Sequence, residues 1–332
     1  MLGKRRKRNV EKGKVMKAVV IDKVTKAEDV ILSEAAIPET RPGWVLIKVK
    51  GFGLNHSEQL LRLSEINAPY IKKPIIPGIE CVGEVIDPSD SDLKAGQKVI
   101  SLMGGMGRSF NGSYAEFALL PRKQVFPVET ELSWKHLAAI PETYFTAWGS
   151  LFECLDLKKD DVLLIRGATC ALGYAAIQIG KALGCKVIGT THRENKMSLL
   201  KDAGCDECVL DEGVIAGKVK GVNKLLDLIG PKYLKDSLNC VMHKSIVCQA
   251  GILGSVYTLN GFDPIKDIPN GVFLTSFFSN YPDQKVIDEI MKFINDHELV
   301  PLVGATFGFD EIKEALIAMD SHSVNGKIVI TL

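Results

Sequence analysis

The order of elements after Asp161 restricts this chain more than any other feature. Short β-branched runs alternate there with helical ones. "DVLLIRG" is followed by "ALGYAAIQIGKALG", and "KVIGTT" by "RENKMSLLKDAG"; "ECVLD", "KLLDLIG", "SIVCQAG" and "VFLTSF" continue the strand series. Parallel strands need crossover connections of about a dozen residues or more, and helices supply them. Such a chain is expected to form a doubly wound parallel sheet with helices on its faces, an α/β domain over residues 134–280.

The flanks read in another style. "MKAVVID", "WVLIKVKGFGL", "CVGEVID", "QKVISL" and "YAEFALL" are short β runs bounded by turn-rich "PETRPGW", "PIIPGIE" and "DPSDSDLKAGQ". Helical periodicity begins near Ser133 and is interrupted at Pro141. After residue 280 come a helix, a strand-like "LVGATFG", a helix and a last strand, "GKIVITL". The termini of a domain commonly lie close together. The α/β unit is therefore expected as an insertion into a β-rich domain of residues 16–133, completed by residues 281–332.

A length of 332 residues suits two domains. Apolar residues at 46% and charged residues at 24% match a soluble globular protein. A net charge of +1 supplies no global field for nucleic acid or a membrane surface. No apolar run reaches the roughly 18 residues of a membrane span. Most of the eight cysteines lie in apolar or Gly/Ala-rich stretches, where free cysteine acts as a small hydrophobe. With no secretory signal, a reducing cytoplasm is expected. The basic "MLGKRRKRNVEKGKV" has no apolar periodicity; a disordered extension fits residues 1–15 better than a nucleic-acid patch, with Met16 as the expected natural start.

"LLIRGATCALGYAAIQIG" has the layout of a dinucleotide-binding turn, in which a helix N-terminus offers N–H groups to a pyrophosphate. On the G-x-G-x-x-G pattern the glycine positions are Ala168, Cys170 and Gly173, beside Ala171 and Leu172. Only the last, which lets helix and strand approach closely, is glycine. An ordinary α/β crossover reads equally well from the turn alone. Cys170 brings a Cβ to the point of closest approach, so the pyrophosphate is expected slightly farther from the turn.

The end of the second strand is more selective. NAD sites place a carboxylate there, about 20 residues after the turn, to bind the ribose 2′-hydroxyl. Here "KVIGTT" ends at Thr191 and is followed by His192, Arg193 and, a turn later, Lys196. Hydroxyl and cations suit a 2′-phosphate, so NADP(H) is expected over NAD(H). A solvated helix start, its charge partly offset by Glu194, is the plainer reading of the same residues.

From Met16 to Leu332 the chain resembles the medium-chain dehydrogenase/reductase superfamily, on its zinc-independent quinone oxidoreductase-like branch. The resemblance rests on "MKAVVI", "GLNHSEQLLR", "PIIPGIECVGEV", "AGQKVI", "GSYAEFALLP", "AAIPETYFTAWGSLF", "GATCALG", "LLDLIG" and "GKIVITL", in this order. It implies a GroES-like catalytic domain carrying the inserted Rossmann domain. Zinc-dependent relatives have a catalytic cysteine and a Gly-His-Glu motif where this chain has Asn55 and Gly78-Ile79-Glu80. An isoleucine cannot bind a metal, and the structural-zinc lobe is missing, so no zinc is expected. Cys205 and Cys208 form a C-x2-C without a second pair at zinc spacing. His56 has no ligand partners in sequence.

By the resemblance, such members reduce quinones or activated carbon–carbon double bonds with NADPH. It places Asn55 near nicotinamide and substrate, Thr146 at the carboxamide and Gly251 beside the nicotinamide ring. A tyrosine of some relatives is replaced by Leu60, which leaves Asn55, Tyr70 and Tyr144 as catalytic candidates and the general acid unassigned. Either tyrosine reads equally well as a packed aromatic. Arg108 is a candidate for an anionic substrate group, a solvated loop charge being the plainer reading. The family often dimerises through the last strand of the nucleotide domain, here "GVFLTSF", which implies a homodimer. Two alternatives remain at this stage: a non-catalytic NADPH-binding sensor or interaction protein, and an alcohol dehydrogenase.

Overall fold

The structure, a computed structural model, describes residues 14–332. Most of the basic extension, residues 1–13, lies outside the described residues. Strand β1 (Val15–Val19) takes in Val15, one residue before the expected start, and pairs antiparallel with β2 (Leu32–Ala36). β3 (Trp44–Gly53), β4 (Glu80–Asp87), β5 (Lys98–Leu102), β6 (Phe117–Pro121) and β7 (Val125–Pro127) build an antiparallel sheet in which β3 pairs with both β4 and β6.

The central stretch forms β8 (Val162–Arg166), β9 (Lys186–Thr191), β10 (Glu207–Leu210), β11 (Lys224–Asp227), β12 (Ile246–Gln249) and β13 (Phe273–Ser276). All pairings are parallel, in the order β10-β9-β8-β11-β12-β13. β8 is buried along four of its five residues, as expected of a strand covered on both faces. β14 (Val303–Gly308) and β15 (Lys327–Thr331) return to the antiparallel sheet, where β15 pairs with β3.

Two cores show how the units meet. One holds β1, β3 and β4 residues together with Phe309, Ile312, Leu316 and Ile330 from the C-terminal segment. The other joins Val82, Ile100 and Val329 of the antiparallel sheet to Tyr144, Leu163 and Ile177. The helix Pro141–Trp148 provides the bridge, packing on β4, β5 and the helix Ala171–Leu183. Pro141 occupies its first turn, where a missing N–H costs nothing, and this explains the break in the long helical pattern. Polar groups of the antiparallel sheet converge on that helix start.

Candidate active site

At the phosphate turn, Gly167 adopts a φ of +82°, a conformation that favours glycine. Its N–H donates to the Thr190 hydroxyl at 3.0 Å, which ties the ends of β8 and β9 together. Ala168 is fully buried and serves packing rather than the turn's open face. The helix begins at Ala171, and Cys170 is its N-cap, with Sγ accepting from Gly173 N–H at 3.4 Å. A Cβ on Gly173 would run into the Ala168 carbonyl. This glycine therefore has the close-packing role expected of it. Ala171 and Leu172, half-buried, present the first N–H groups of a 13-residue helix.

Beyond β9, Thr191 is buried, and its hydroxyl lies 3.4 Å from that of Thr169. His192 and Arg193 are exposed and Lys196 is half-buried. Partial burial and then Arg193 and Lys196 depress the His192 imidazole pKa, with Lys232 from the loop after β11 adding to the effect. Lys196 is depressed by partial burial and then by Arg193. Among the described residues no carboxylate pairs with Arg193, Lys196 or Lys232. A cavity of about 620 Å³ opens next to Lys232, between the loops that follow β10 and β11.

Beneath this rim, Arg166 is fully buried at the end of β8. It forms ion pairs with Asp211 at 2.8 Å and Asp236 at 2.9 Å, and a hydrogen bond to Ser237 at 2.9 Å. The strand ends of the sheet are thus fixed by ion pairs while the rim above them is left cationic.

The second cluster lies where the two sheets meet. Lys327 of β15 reaches across β3, with its ammonium 2.6 Å from Glu80 Oε1 and 2.6 Å from Asn55 Oδ1. Asn55 Nδ2 donates to the same Glu80 oxygen at 2.9 Å. The other Glu80 oxygen accepts the Glu142 N–H at 2.7 Å, at the start of the helix Pro141–Trp148. Gly53 makes this possible, because a Cβ there would strike Lys327 Cε and Glu80 Oε1. Glu58 is fully buried alongside, accepting from Asn55 N–H at 2.9 Å and Ile79 N–H at 3.1 Å. Burial pushes its carboxyl up to about 7, against the Ile79 hydrogen bond and with help from Glu80, while the Lys327 and Arg108 charges oppose the rise.

Thr146 is buried and donates its hydroxyl to Glu142 at 2.7 Å. Tyr144 is buried, with its hydroxyl donating to Gln178 at 2.6 Å, which ties two helices together within the core. Tyr70 is 61% exposed and donates to Glu65 at 2.8 Å. Glu65 also binds Arg108 through Nε at 2.8 Å and a terminal nitrogen at 2.7 Å, so Arg108 is a paired charge rather than a solvated one. Gly251 follows β12, and a Cβ there would run into the Leu228 backbone.

Sequence reasoning did not single out Lys327, Glu142, Glu58 or Arg166. Glu142 had a usable signal, an acid in the first turn of a helix four residues before a threonine. Lys327 had none, since it meets Asn55 across 272 residues of chain.

The profile of the alcohol dehydrogenase GroES-like domain matches residues 41–130, and that of a zinc-binding dehydrogenase matches residues 203–330. Over 314 residues the chain is 27% identical to the quinone oxidoreductase of Homo sapiens, covering 90% of this chain and 92% of that protein. Over 344 residues it is 26% identical to the synaptic vesicle membrane protein VAT-1 homolog-like of Mus musculus, covering 95% and 81%. The solved structure of AibC matches with a TM-score of 0.86 at 23% identity, covering 99% of each chain. The quinone oxidoreductase from Coxiella burnetii matches at 0.81 and 22% identity, over 96% of this chain and all of that one.

The chain is thus an oxidoreductase of the medium-chain dehydrogenase/reductase superfamily, a nicotinamide-dependent family. Within it, the chain belongs to the quinone oxidoreductase-like branch. The zinc named by one matching profile does not fit the residues here. Ile79 offers no donor, Asn55 is bonded through both amide atoms, and an ammonium already satisfies Glu80. Among the described residues, no three His, Cys, Asp or Glu side chains converge as a metal site requires. No helix is long and apolar enough to cross a membrane.

Proposed function

We propose that this protein is an NADPH-dependent reductase of quinones or α,β-unsaturated carbonyls that works without zinc. The observation that carries this reading is the Asn55–Lys327–Glu80 network. A fixed ammonium stands where a Lewis acid would have to be held, so the acceptor must be one activated by its own conjugation. When bound, the cofactor supplies the hydride. The helix start at Ala171 and Leu172 is its pyrophosphate site, and Arg193, Lys196 and Lys232 with His192 take the 2′-phosphate. Asn55, Thr146 and Gly251 border the nicotinamide. Residues 16–133 and 281–332 act as the catalytic unit and 134–280 as the nucleotide unit.

The protein works as a cytoplasmic homodimer joined through β13. That strand is the open edge of its sheet, and Phe273, Phe278 and Tyr281 are exposed on or just after it.

NADPH oxidation followed with 1,4-benzoquinone, 9,10-phenanthrenequinone and 2-alkenals tests the reading, with metal content measured on the same sample. Turnover of at least one acceptor by zinc-free protein is expected. NADPH binding without turnover on any of them would favour a sensor, and stoichiometric zinc would overturn the metal-free assignment.

A further inference from the structure

Reduction of a conjugated acceptor needs a proton as well as a hydride, and the polar groups at the junction of the two sheets are nearly all committed. Asn55 is bonded at both amide atoms, Lys327 is held by two acceptors, and Glu80 receives Asn55, Lys327 and the Glu142 N–H. Glu58 is sealed from solvent, and the Tyr144 hydroxyl is taken by Gln178. Glu142 is different. It sits at the start of the bridging helix, is partly exposed, and receives both hydroxyls of its surroundings on one oxygen. Thr146 donates to its Oε1 at 2.7 Å from the same helix, and Ser279 donates to it at 3.2 Å from the segment after β13. Among the described residues no protein donor takes Oε2.

We propose that Glu142 is the proton donor of the reaction, its acid proton carried on Oε2 and delivered to the reduced acceptor. The proposal rests on the reductase reading above. With an enone, hydride adds at the β-carbon and the π pair moves to the carbonyl oxygen as an enolate. The O–H bond of Glu142 then breaks, its proton goes to the α-carbon, and the carboxylate left behind regains a proton from water. With a quinone the same proton goes to the second oxygen.

The surroundings favour the acid form. Burial raises the Glu142 pKa, the Lys327 ammonium opposes the rise, Glu80 adds to it, and the Thr146 and Ser279 hydroxyls lower it. Lys327 is shared with Glu80 and so cannot fully offset the junction's excess of acids.

The test compares wild type with Glu142→Gln and Glu142→Asp. Without cofactor, the infrared difference between wild type and Glu142→Gln at neutral pH is expected to show a protonated-carboxyl stretch belonging to wild type. With cofactor and acceptor, kcat of Glu142→Gln is expected to fall about 100-fold or more, with KM for NADPH unchanged. The alkaline decline of kcat in wild type should disappear in Glu142→Gln and remain in Glu142→Asp, which still carries an acid. Absence of the infrared band, or a Glu142→Gln kcat within about threefold of wild type, overturns the proton-donor role and leaves the reductase reading standing. If wild type reduces no acceptor at all, the reductase reading falls first and this assignment with it.

Discussion

The junction of the two sheets and the rim beyond β9 both hold unbalanced charge, and they resolve it in opposite ways. At the junction, Glu58, Glu80 and Glu142 lie around the Lys327 ammonium, which pairs with Glu80, while Arg108 acts on Glu58 more weakly, in a site largely closed to water. Ionising all three acids there would be costly, and burial raises the pKa of both Glu58 and Glu142. At the rim, His192, Arg193, Lys196 and Lys232 gather with Glu194 and Asp211 nearby but, among the described residues, with no carboxylate in an ion pair with Arg193, Lys196 or Lys232, on a surface where water can carry their charge. That imbalance costs the fold little and is available to a ligand's phosphate. In the proposed function the buried excess serves proton chemistry and the exposed excess selects the ligand.

The strongest way to break this contrast is to remove the ammonium that is paired with Glu80. Lys327→Met leaves the buried Glu80 unpaired and is expected to lower unfolding stability by about 3–5 kcal/mol in denaturant titrations. A loss below about 1 kcal/mol would show that Glu80 is not held as an ion pair.

Next in size is the pH dependence set by Glu58. Its folded pKa, about 7, lies above the ordinary 4.5 of an exposed glutamate. The folded state therefore holds this proton more tightly, so the stabilisation is complete below about pH 4.5 and is lost as pH rises through about 7. The change over that window is on the order of 3 kcal/mol, and Glu58→Gln should flatten it. An unchanged slope in the variant would move the buried proton to another group.

The smallest stability effect belongs to the rim. Lys196→Ala should shift unfolding by no more than about 0.5 kcal/mol. The same change should weaken NADPH binding about tenfold, measured by nicotinamide fluorescence. A large stability loss would mean that the rim is structural after all.

The regions differ just as much in how far the sequence reveals them. Most of the rim is local: Thr191 ends one strand and His192 to Lys196 follow it, so the strand end and these cations can be read together, whereas Lys232 joins them from the loop after β11. The parallel sheet is legible for a similar reason, since each strand–helix unit repeats one pattern. The junction is assembled by long-range pairing. β15 sets Val329 opposite Gly53, and only then does Lys327 come within reach of Asn55. No spacing rule links residues so far apart. Tyr144 shows the opposite difficulty, because a tyrosine on an apolar helix reads alike whether it faces a cleft or, as here, Gln178 in the core. Cys170 occupies a glycine position of the turn, and the structure gives it a use no glycine offers, as a side-chain acceptor for the Gly173 N–H at the N-cap.

The most direct test of the central claim is the affinity for NADPH and for NADH, measured side by side on wild type and Arg193→Ala. Wild type should prefer NADPH, and Arg193→Ala should lose about 10- to 100-fold in NADPH affinity while NADH binding is unchanged. Equal binding of the two cofactors by wild type, or a preference that survives Arg193→Ala intact, would contradict the assignment of the exposed cations to the 2′-phosphate.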